Sequence, residues 1–306
     1  MRVLFAAPTR LWDDWAPALQ AACPEIKLCR KGAPESFDAL IYAPGYPEDG
    51  TPLDFSAFVN ARLVQSLWAG VERIVTNSSL TQPLCRMVDP GLAQGMVEYC
   101  TGWTMRAHLG MDLYPQDGIW RQGQTPPLAT ERRVTVLGMG ELGSAVAGTL
   151  SDLGFAVTGW SQSGRPVAGI EVLAQNRLGE ALSRADILIC LLPDTPATRD
   201  LLDASRLALL PKGATLINAG RGTLIDETAL LAALEQDRPG HAVLDVFKTE
   251  PLPPDHPFWS HPRITVTPHI AAETRPATAA RIAAENLRRA MRGETLLHLV
   301  DPARGY

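Results

Sequence analysis

Short apolar runs rich in β-branched residues alternate with amphipathic segments along almost the whole chain, and this alternation most restricts the possible folds. Such a pattern is typical of parallel strands joined by helices. The sequence therefore predicts an α/β protein. The strands predicted in its first part are residues 3–6, 26–28, 39–42, 63–67 and 74–76. Those predicted in its second part are residues 134–138, 156–160, 187–192, 215–218, 242–246 and 264–266.

Two helix-like segments indicate how the chain is divided into domains. One, residues 92–109, follows the first series of strands. The other, residues 276–292, carries Ile282 and Leu287 on one face and Arg281 and Arg288 on the other, so its apolar face must pack against another part of the protein. Because the first sheet has few helices to cover it, we expect the chain to return there. We predict two doubly wound parallel-sheet domains, residues 1–98 with 272–306 and residues 99–271.

Composition excludes several classes of function. The 28 basic and 33 acidic residues give a net charge of -5, which does not favour binding to nucleic acid. Apolar runs fall far short of the roughly 20 residues that a membrane helix needs. The N-terminal segment is interpreted as a first strand of a cytoplasmic protein. The five cysteines are odd in number and form no CxxC pair, so we expect reduced thiols and assign no metal site.

A glycine-rich turn directly follows the strand that begins near residue 134. It reads GMGELG, and its glycines are Gly138, Gly140 and Gly143. With a strand before it and a helix after it, this spacing is typical of a turn that binds a dinucleotide. The first glycine permits a tight turn, the second lets the backbone approach a pyrophosphate, and the third lets helix and strand pack closely. The cofactor-binding residues predicted here are Gly138, Met139, Gly140, Glu141, Leu142 and Gly143.

The end of the next strand indicates which dinucleotide binds. NAD enzymes normally carry an acidic residue there, whereas this chain has Ser161, Gln162 and Arg165 within the turn. Hydroxyl, amide and guanidinium groups suit a 2′-phosphate, which a carboxylate would repel. The pattern favours NADP(H) over NAD(H). The alternative is a solvated turn whose serines only satisfy the backbone.

Three chemically able side chains follow strands of the second predicted domain. They are Arg221, Glu250 and His269. The carboxyl ends of parallel strands line the ligand crevice, and reduction of a ketone needs a proton donor and a cation for an adjacent carboxylate. A carboxylate beside an imidazole would keep it protonated near neutral pH. Taken singly, each residue could instead be a solvated or ion-paired surface group.

Five motifs in a fixed order resemble the D-2-hydroxyacid dehydrogenase family through essentially the whole chain. They read GMGELG, LLPDTPAT, INAGRG, DVFKTEPLP and TPHIAA. The segments QSLWAGVE, ITVTPHIAAETRPA and DPARGY are most similar to the glyoxylate/hydroxypyruvate reductase A branch. The resemblance implies a flavodoxin-like substrate domain and a Rossmann NADP-binding domain. It also implies a cleft that closes around the substrate and excludes water.

The same resemblance implies specific roles for individual residues. His269 is the acid/base, Glu250 orients it, and Arg221 binds the carboxylate and carbonyl of the substrate. The loop Ala69, Gly70 and Val71 offers backbone N–H groups to that carboxylate. Trp68 stands where relatives often have glycine, so it either narrows the pocket or packs beneath it. Further implied cofactor contacts are Leu192, Pro193, Thr198, Ala219 and Asp245, the last at the nicotinamide amide unless it is only a capping residue.

These observations predict an NADPH-dependent reductase of small 2-oxo acids, with glyoxylate and hydroxypyruvate as first substrates. A homodimer is implied by the resemblance, with the helix after Gly91 and the region around Trp120 as contacts. One alternative is another member of the family, such as a phosphoglycerate, D-lactate or phosphite dehydrogenase. The other is a regulator that binds the dinucleotide without turnover, although the presence of Arg221, Glu250 and His269 argues against it.

Overall fold

A computed structural model describes residues 1–114, 117–120 and 125–302. Contacts divide the chain into two units, Met1–Leu92 with Glu273–Tyr306 and Ala93–Ala272, and each contains one parallel sheet. The expected boundary at 98/99 falls within the same helix as the division after Leu92. Residues 303–306 and parts of the segment around Trp120 lie outside the described residues.

The described elements follow one another in regular alternation. The strands are β1 Arg2–Ala6, β2 Lys27–Cys29, β3 Ala39–Tyr42, β4 Val64–Ser66, β5 Leu84–Cys85, β6 Arg133–Leu137, β7 Ala156–Trp160, β8 Glu171–Leu173, β9 Ile187–Cys190, β10 Thr215–Asn218, β11 His241–Leu244 and β12 Ile264–Val266. The helices are α1 Trp12–Ala22, α2 Glu72–Val75, α3 Pro90–Leu109, α4 Glu141–Asp152, α5 Leu178–Ser183, α6 Ala204–Leu207, α7 Glu227–Glu235 and α8 Pro276–Arg292.

The first unit has five parallel strands in the order β2-β1-β3-β4-β5. This is the flavodoxin-like order, as expected. One strand was predicted wrongly: residues 74–76 are not a strand, because Ile74 and Val75 belong to the single turn of α2 and their N–H groups bond to the carbonyl of Val71. Their β-branched side chains favour a strand, but the local turn decides the conformation. The fifth strand is β5, which has only two residues.

Helix α8 covers the first sheet, as its amphipathic sequence predicts. Its buried face is a row of alanines with Leu287, and they join the same core cluster as Val3 and Trp15. Ile282 and Met291 lie partly buried at the margin of that cluster. Small side chains allow helices to approach closely, so α8 packs directly against α1. The buried alanines are Ala279, Ala280, Ala283, Ala284 and Ala290.

The second unit has seven parallel strands in the order β8-β7-β6-β9-β10-β11-β12. The first six strands in this order follow the doubly wound arrangement. Successive strands are added on one side of β6 and then, from β9 onward, on its other side. The sequence predicted six of these strands and missed β8, a three-residue strand that pairs only with β7 at the edge of the sheet. A ligand crevice is expected outside the carboxyl ends of β6 and β9.

The structure also bears on the membrane and cysteine expectations. In the part of the chain that the structure describes, no helix has the length and apolar character needed to cross a membrane. All five cysteines are free thiols, and only Cys29 is not buried. Burial raises the pKa of Cys85 and Cys100 to about 12, so both are protonated at neutral pH.

Candidate active site

The glycine-rich turn after β6 has a geometry that requires two of its glycines. Gly138 has a φ of 104°, and a Cβ there would lie 2.7 Å from the carbonyl oxygen of Leu191. A Cβ on Gly143 would lie 1.7 Å from the carbonyl oxygen of Gly138. Only glycine fits at either position. The turn is therefore pressed against the loop that follows β9, at the place where the strand order reverses.

The middle glycine of the same turn has the opposite surroundings. A Cβ on Gly140 would meet nothing within 4 Å, and its φ of -82° is one that any residue adopts. Packing within this unit therefore does not demand glycine here. Gly140 is also the N-cap of α4 and provides no side-chain capping bond to the first N–H groups of the helix. Met139 and Leu142 pack on the core, whereas Glu141 is exposed.

The turn after β7 has features of both alternatives that the sequence left open, namely serines that bond to the backbone and polar side chains that are accessible to a phosphate. The hydroxyl oxygens of Ser161 and Ser163 accept hydrogen bonds from the N–H groups of Gly164 and Arg165, at 3.1 and 3.3 Å. Backbone satisfaction is therefore part of their role. The side chains of Gln162 and Arg165 are exposed. An amide and a guanidinium beside serine hydroxyls remain accessible to an anionic group.

The loop after β9 is stiffened by its own hydroxyl groups. Thr198 donates a hydrogen bond of 2.6 Å to the carbonyl of Pro193 and accepts one of 2.9 Å from the N–H of Thr195. Leu192, at the start of this loop, is buried. Thr198 thus shapes the loop that flanks the glycine-rich turn. Its hydroxyl is already engaged with the loop itself.

Arg221 is positioned by the tight turn after β10. The side chain of Asn218 bonds to the carbonyl of Arg221 and to the N–H of Gly220, which closes the turn beyond the buried Ala219. Gly222 lies against the backbone of Phe247, and a Cβ there would come within 2.0 Å of it. This contact brings the Arg221 turn against the loop that carries Glu250.

His269 and Glu250 form a hydrogen-bonded pair. The Nδ1 atom of His269 lies 2.8 Å from Oε2 of Glu250, and Oε1 of Glu250 accepts a bond from the N–H of Phe247. Since the ionised carboxylate can only accept, Nδ1 carries the proton. Among the described residues, no hydrogen bond engages Nε2 of His269, and the side chain is 53% exposed. The pair therefore presents one imidazole nitrogen for chemistry.

Charges around this pair favour a protonated imidazole. The hydrogen bond to Glu250 raises the pKa of His269 above its usual value, against the opposing effects of burial and of Arg221. Burial by itself raises the pKa of Glu250, but the bonds from His269 and Phe247 lower it overall. Arg221 contributes electrostatically to both groups. The three side chains predicted from the sequence thus lie near one another in the second unit.

Asp245 lies beneath the loop that carries His269. It is fully buried, and its carboxylate accepts three hydrogen bonds, from the hydroxyl of Thr267 and from the N–H groups of Ile270 and Ala271. The sequence indicated a cofactor contact or a capping residue here. The structure shows the capping contacts, and a carboxylate has about four acceptor positions, so one is left. The partners of Asp245 are 22 to 26 residues away in the chain, and no local pattern announces them.

The predicted carboxylate-binding loop belongs to the first unit. It follows β4, and the hydroxyl of Ser66 both accepts from the N–H of Trp68 and donates to its carbonyl, each at 3.0 Å. Trp68 packs partly buried against the core of this unit, while Ala69 and Gly70 are half-exposed and Val71 is buried. The indole is therefore used at least in part for packing. No group of His, Cys, Asp or Glu side chains suited to a metal ion is found among the residues described.

Comparison with known proteins identifies the family of the chain. The sequence model of the D-isomer specific 2-hydroxyacid dehydrogenase NAD binding domain matches residues 103–271. A D-isomer specific 2-hydroxyacid dehydrogenase from Xanthobacter autotrophicus Py2, solved in complex with NADPH and MES, is 36% identical, with a TM-score of 0.92 over 100% of this chain and 99% of that one.

A second solved structure with similar coverage is the NADPH-dependent glyoxylate/hydroxypyruvate reductase from Sinorhizobium meliloti, in complex with NADP and sulfate. It is 31% identical, with a TM-score of 0.88 over 100% of this chain and 99% of that one. A probable 2-hydroxyacid dehydrogenase from Rhizobium etli CFN 42, in complex with NADP, is 28% identical over the same shares. The chain therefore belongs to the D-isomer specific 2-hydroxyacid dehydrogenase family, and its second unit contains that family's NAD-binding domain.

Proposed function

We propose that this protein reduces small 2-oxo acids to 2-hydroxy acids with NADPH, and that glyoxylate and hydroxypyruvate are its first substrates. The products would be glycolate and D-glycerate. The observation that carries the proposal is the 2.8 Å contact between Nδ1 of His269 and Glu250, which favours the protonated imidazole and leaves Nε2 for the substrate. Two solved relatives with NADPH or NADP, one of them a glyoxylate/hydroxypyruvate reductase, support the choice of reaction.

His269 acts as the general acid. Its Nε2 proton goes to the carbonyl oxygen of the 2-oxo acid as that oxygen gains charge, and Glu250 stabilises the imidazolium before the transfer. Because the hydrogen bond to Glu250 raises the pKa of His269, the acid form persists to higher pH than in an ordinary histidine. In the reverse direction the neutral imidazole takes the proton back from the hydroxyl group.

Arg221 binds the carboxylate of the substrate and orients its carbonyl. A guanidinium can hold a carboxylate with two parallel hydrogen bonds, which fixes direction as well as position. The backbone N–H groups of Ala69, Gly70 and Val71 are proposed to bind a substrate carboxylate, and Trp68 to limit the size of the substrate. Both assignments come from the family resemblance and the position of this loop directly after β4.

The residues around the glycine-rich turn fit a dinucleotide. Space at Gly140 and the uncapped start of α4 suit the pyrophosphate, and Leu192, Pro193, Thr198 and Ala219 line the neighbouring loops. The remaining acceptor position of Asp245 suits the amide of the nicotinamide. When bound, the nicotinamide supplies the hydride. Ser161, Gln162 and Arg165 are proposed to hold the 2′-phosphate, which makes NADP(H) the preferred form over NAD(H).

A panel of 2-oxo acids tests the reaction. Glyoxylate, hydroxypyruvate, pyruvate and phosphohydroxypyruvate would each be measured with NADPH and with NADH, by loss of absorbance of the reduced nicotinamide. We expect the highest kcat/KM with NADPH and the two smallest substrates. Cofactor oxidation that is no faster with any substrate than without protein would contradict the proposal and would favour a dinucleotide-binding regulator.

Substitution of Arg165 tests the cofactor assignment. Arg165→Ala should weaken NADPH relative to NADH by about tenfold to a hundredfold, the effect of losing a charged hydrogen-bonding partner of a phosphate. Adding Ser161→Asp should widen the difference, since a carboxylate repels the 2′-phosphate. Arg177→Ala, which removes an exposed arginine paired with Glu180, is the matched control. An unchanged ratio of kcat/KM for the two cofactors would rule out this phosphate site.

We further propose a cytoplasmic homodimer. Free thiols are typical of a reducing compartment, and all five cysteines are free. The segment after α3 exposes several large apolar side chains, including Leu113 at 77% and Trp120 at 94% exposed. Exposed large apolar side chains favour contact with another chain. Light scattering of the wild type and of Trp120→Ser, with a lower mass for the variant, would support this contact.

A further inference from the structure

Three polar side chains form a continuous hydrogen-bonded series beneath the loop of His269. The hydroxyl of Tyr99, on α3, lies 2.7 Å from the hydroxyl of Thr267, and the hydroxyl of Thr267 lies 2.6 Å from Oδ1 of Asp245. We call Tyr99, Thr267 and Asp245 the hydroxyl chain. Tyr99 and Thr267 are 168 residues apart in the sequence and belong to the same unit.

The direction of the hydroxyl chain follows from its chemistry. Thr267 donates its single hydroxyl proton to Oδ1 of Asp245. Thr267 then has only acceptor positions left, and Tyr99 must be the donor to it. Burial raises the pKa of Tyr99 well above the usual range, so its hydroxyl keeps the proton that this arrangement requires. The protons therefore point in one direction, from α3 toward Asp245.

The carboxylate at the end of the hydroxyl chain holds the backbone on both sides of His269. The carboxylate of Asp245 accepts hydrogen bonds from the N–H groups of Ile270 and Ala271, at 2.9 Å each. The backbone carbonyl of Asp245 accepts one from the N–H of His269, also at 2.9 Å. His269 has a φ of 56°, a left-handed conformation that is strained for a residue with a Cβ. Such a conformation persists only when its surroundings impose it. Asp245 and its partners impose it here.

We propose that Tyr99 and Thr267 are positioning residues, whose directed hydroxyls fix Asp245 and thereby hold the loop 267–271 with the imidazole of His269 at Glu250. The role of His269 as proton donor rests on the function proposed above. The positioning itself is a property of the folded chain. It makes α3, which contributes no predicted catalytic group, part of what keeps the catalytic imidazole in place.

Loss of a hydroxyl should loosen the loop and weaken the bond between His269 and Glu250. The charged groups that face His269 are Glu250, Asp245 and Arg221. With the Glu250 bond weakened, burial and Arg221 are opposed less, so the pKa of His269 should fall toward or below its usual value. The amides of Ile270 and Ala271 should exchange faster, because their acceptor is less well fixed.

The test compares four variants of the full-length protein. Thr267→Val and Tyr99→Phe each remove one hydroxyl of the hydroxyl chain, and Thr267→Ser keeps it. Thr135→Val is the matched control, since it removes a buried hydroxyl that bonds to the carbonyl of Ala181 in the same unit. NMR titration of the His269 imidazole, assigned with a His269→Gln sample, and amide exchange are the measurements. Neither needs turnover, so both remain decisive if no 2-oxo acid is reduced.

We expect Thr267→Val to lower the pKa of His269 and to raise exchange at Ile270 and Ala271 about fivefold to tenfold, as for one lost hydrogen bond. Tyr99→Phe should change both in the same direction by less, because Thr267 still donates to Asp245. Thr267→Ser and Thr135→Val should match the wild type. Where turnover is found, kcat should fall in Thr267→Val and stay near the wild-type value in Thr267→Ser. The alkaline limb of the pH–activity profile should lie at lower pH in Thr267→Val than in the wild type.

One set of results would show that the hydroxyl chain does not position His269. If Thr267→Val and Tyr99→Phe lower the melting temperature like Thr135→Val while the pKa of His269 and the exchange of both amides stay at the wild-type values, the hydroxyl chain is only structural and the proposal is wrong. Should Thr267→Val fail to fold, Tyr99→Phe decides by the same two measurements. A wild type without turnover would contradict the proposed function and leave this test unaffected.

Discussion

The two units share a parallel doubly wound architecture but differ in the exposure of the polar side chains near the ends of their strands. In the second unit, polar residues lie at the carboxyl ends of strands, where Arg221, Glu250 and His269 remain accessible. In the first unit, the buried polar side chains Gln65 and Asn286 bond to the chain itself. Similar sheets therefore do not imply similar sites. What differs is whether the polar side chain at a strand end is fully enclosed, as Gln65 is, or partly exposed, as His269 is.

The polar network of the first unit illustrates the internal use. Asn286 on α8 donates to Oε1 of Gln65 at 2.7 Å and to the carbonyl of Leu297 at 3.0 Å, and it accepts from the N–H of Leu297 at 2.7 Å. Gln65 donates in turn to the carbonyls of Ser66 and Cys85. The network fastens α8 and the segment after it to the sheet, and it leaves little hydrogen-bonding capacity for a ligand.

Removing the imidazole should produce the largest effect and test the second unit directly. His269→Ala should lower kcat by about 10²- to 10⁴-fold, the usual contribution of a general acid, while the Kd for NADPH stays near the wild-type value. Steady-state kinetics and fluorescence titration measure the two. His261→Ala, another histidine of this unit that lies 3.7 Å from Glu235, is the control. An unaltered kcat would show that another group donates the proton.

The next effect should appear in stability and only in the first unit. Asn286→Ala leaves buried partners of three hydrogen bonds unsatisfied, so we expect the free energy of unfolding to fall by about 2 to 4 kcal/mol while kcat of the folded protein is unchanged. Denaturant unfolding and kinetics at low temperature check both. Asn60→Ala removes an exposed bond to the carbonyl of Glu35 and should change stability by less than about 0.5 kcal/mol. A large loss of kcat in Asn286→Ala would blur the distinction between the units.

A smaller effect is expected at Gly140, where the fold does not require glycine. Gly140→Ala should keep the melting temperature but raise the Kd for NADPH by about tenfold to a hundredfold, because its methyl group occupies the approach to the pyrophosphate. Gly148→Ala, in the same helix and also with open surroundings, should bind NADPH normally and be slightly more stable. Normal NADPH affinity in Gly140→Ala would show that the dinucleotide does not approach this turn.

The smallest effect should be a shift in pH dependence. Since the pKa of His269 is raised, kcat/KM for reduction should be constant below that pKa and fall above it. Glu250→Gln removes the main cause, so the alkaline limb should move to lower pH. Glu227→Gln, which alters the pairing of a different histidine, His256, should leave the limb in place.

The same pair predicts a pH window for stability. Because the pKa of His269 is raised in the folded protein, its contribution to stability is fully present below the unfolded pKa of about 6.5. That contribution is lost as pH rises through the pKa in the folded protein. Because the pKa of Glu250 is lowered in the folded protein, its contribution to stability is present above its unfolded pKa and is lost as pH falls through the pKa in the folded protein. The difference in unfolding free energy between wild type and Glu250→Gln should therefore shrink at both acid and alkaline pH. A difference independent of pH would contradict the pairing.

Regular periodicity made most of the fold predictable from the sequence. The long alternation of strands and helices predicted both sheets, and the apolar face of α8 predicted that this helix packs in the first unit. The errors concern elements too short to show a period: α2 is one helical turn with β-branched residues, β5 has two residues and β8 has three. For these, hydrogen bonds to neighbouring segments decide the conformation.

The site was predictable where motifs are local. The glycine-rich turn and the three strand-end groups could be named because each follows a recognisable strand. The hydroxyl chain could not, since Tyr99 is an ordinary helical tyrosine in the sequence and its partner is remote. The triple hydrogen bonding of Asp245 was likewise hidden. Contacts over long sequence separation need coordinates, because no spacing rule connects them.

Burial of the thiols has a practical consequence for chemical labelling. Alkylating agents react with thiolates, and four of the five cysteines are both enclosed and held protonated. Cys29, at the end of an outer strand, is the one left accessible to reagent. A maleimide dye added to the native protein should therefore attach at this position alone, and would provide a single-site probe without any cysteine having to be engineered in or out.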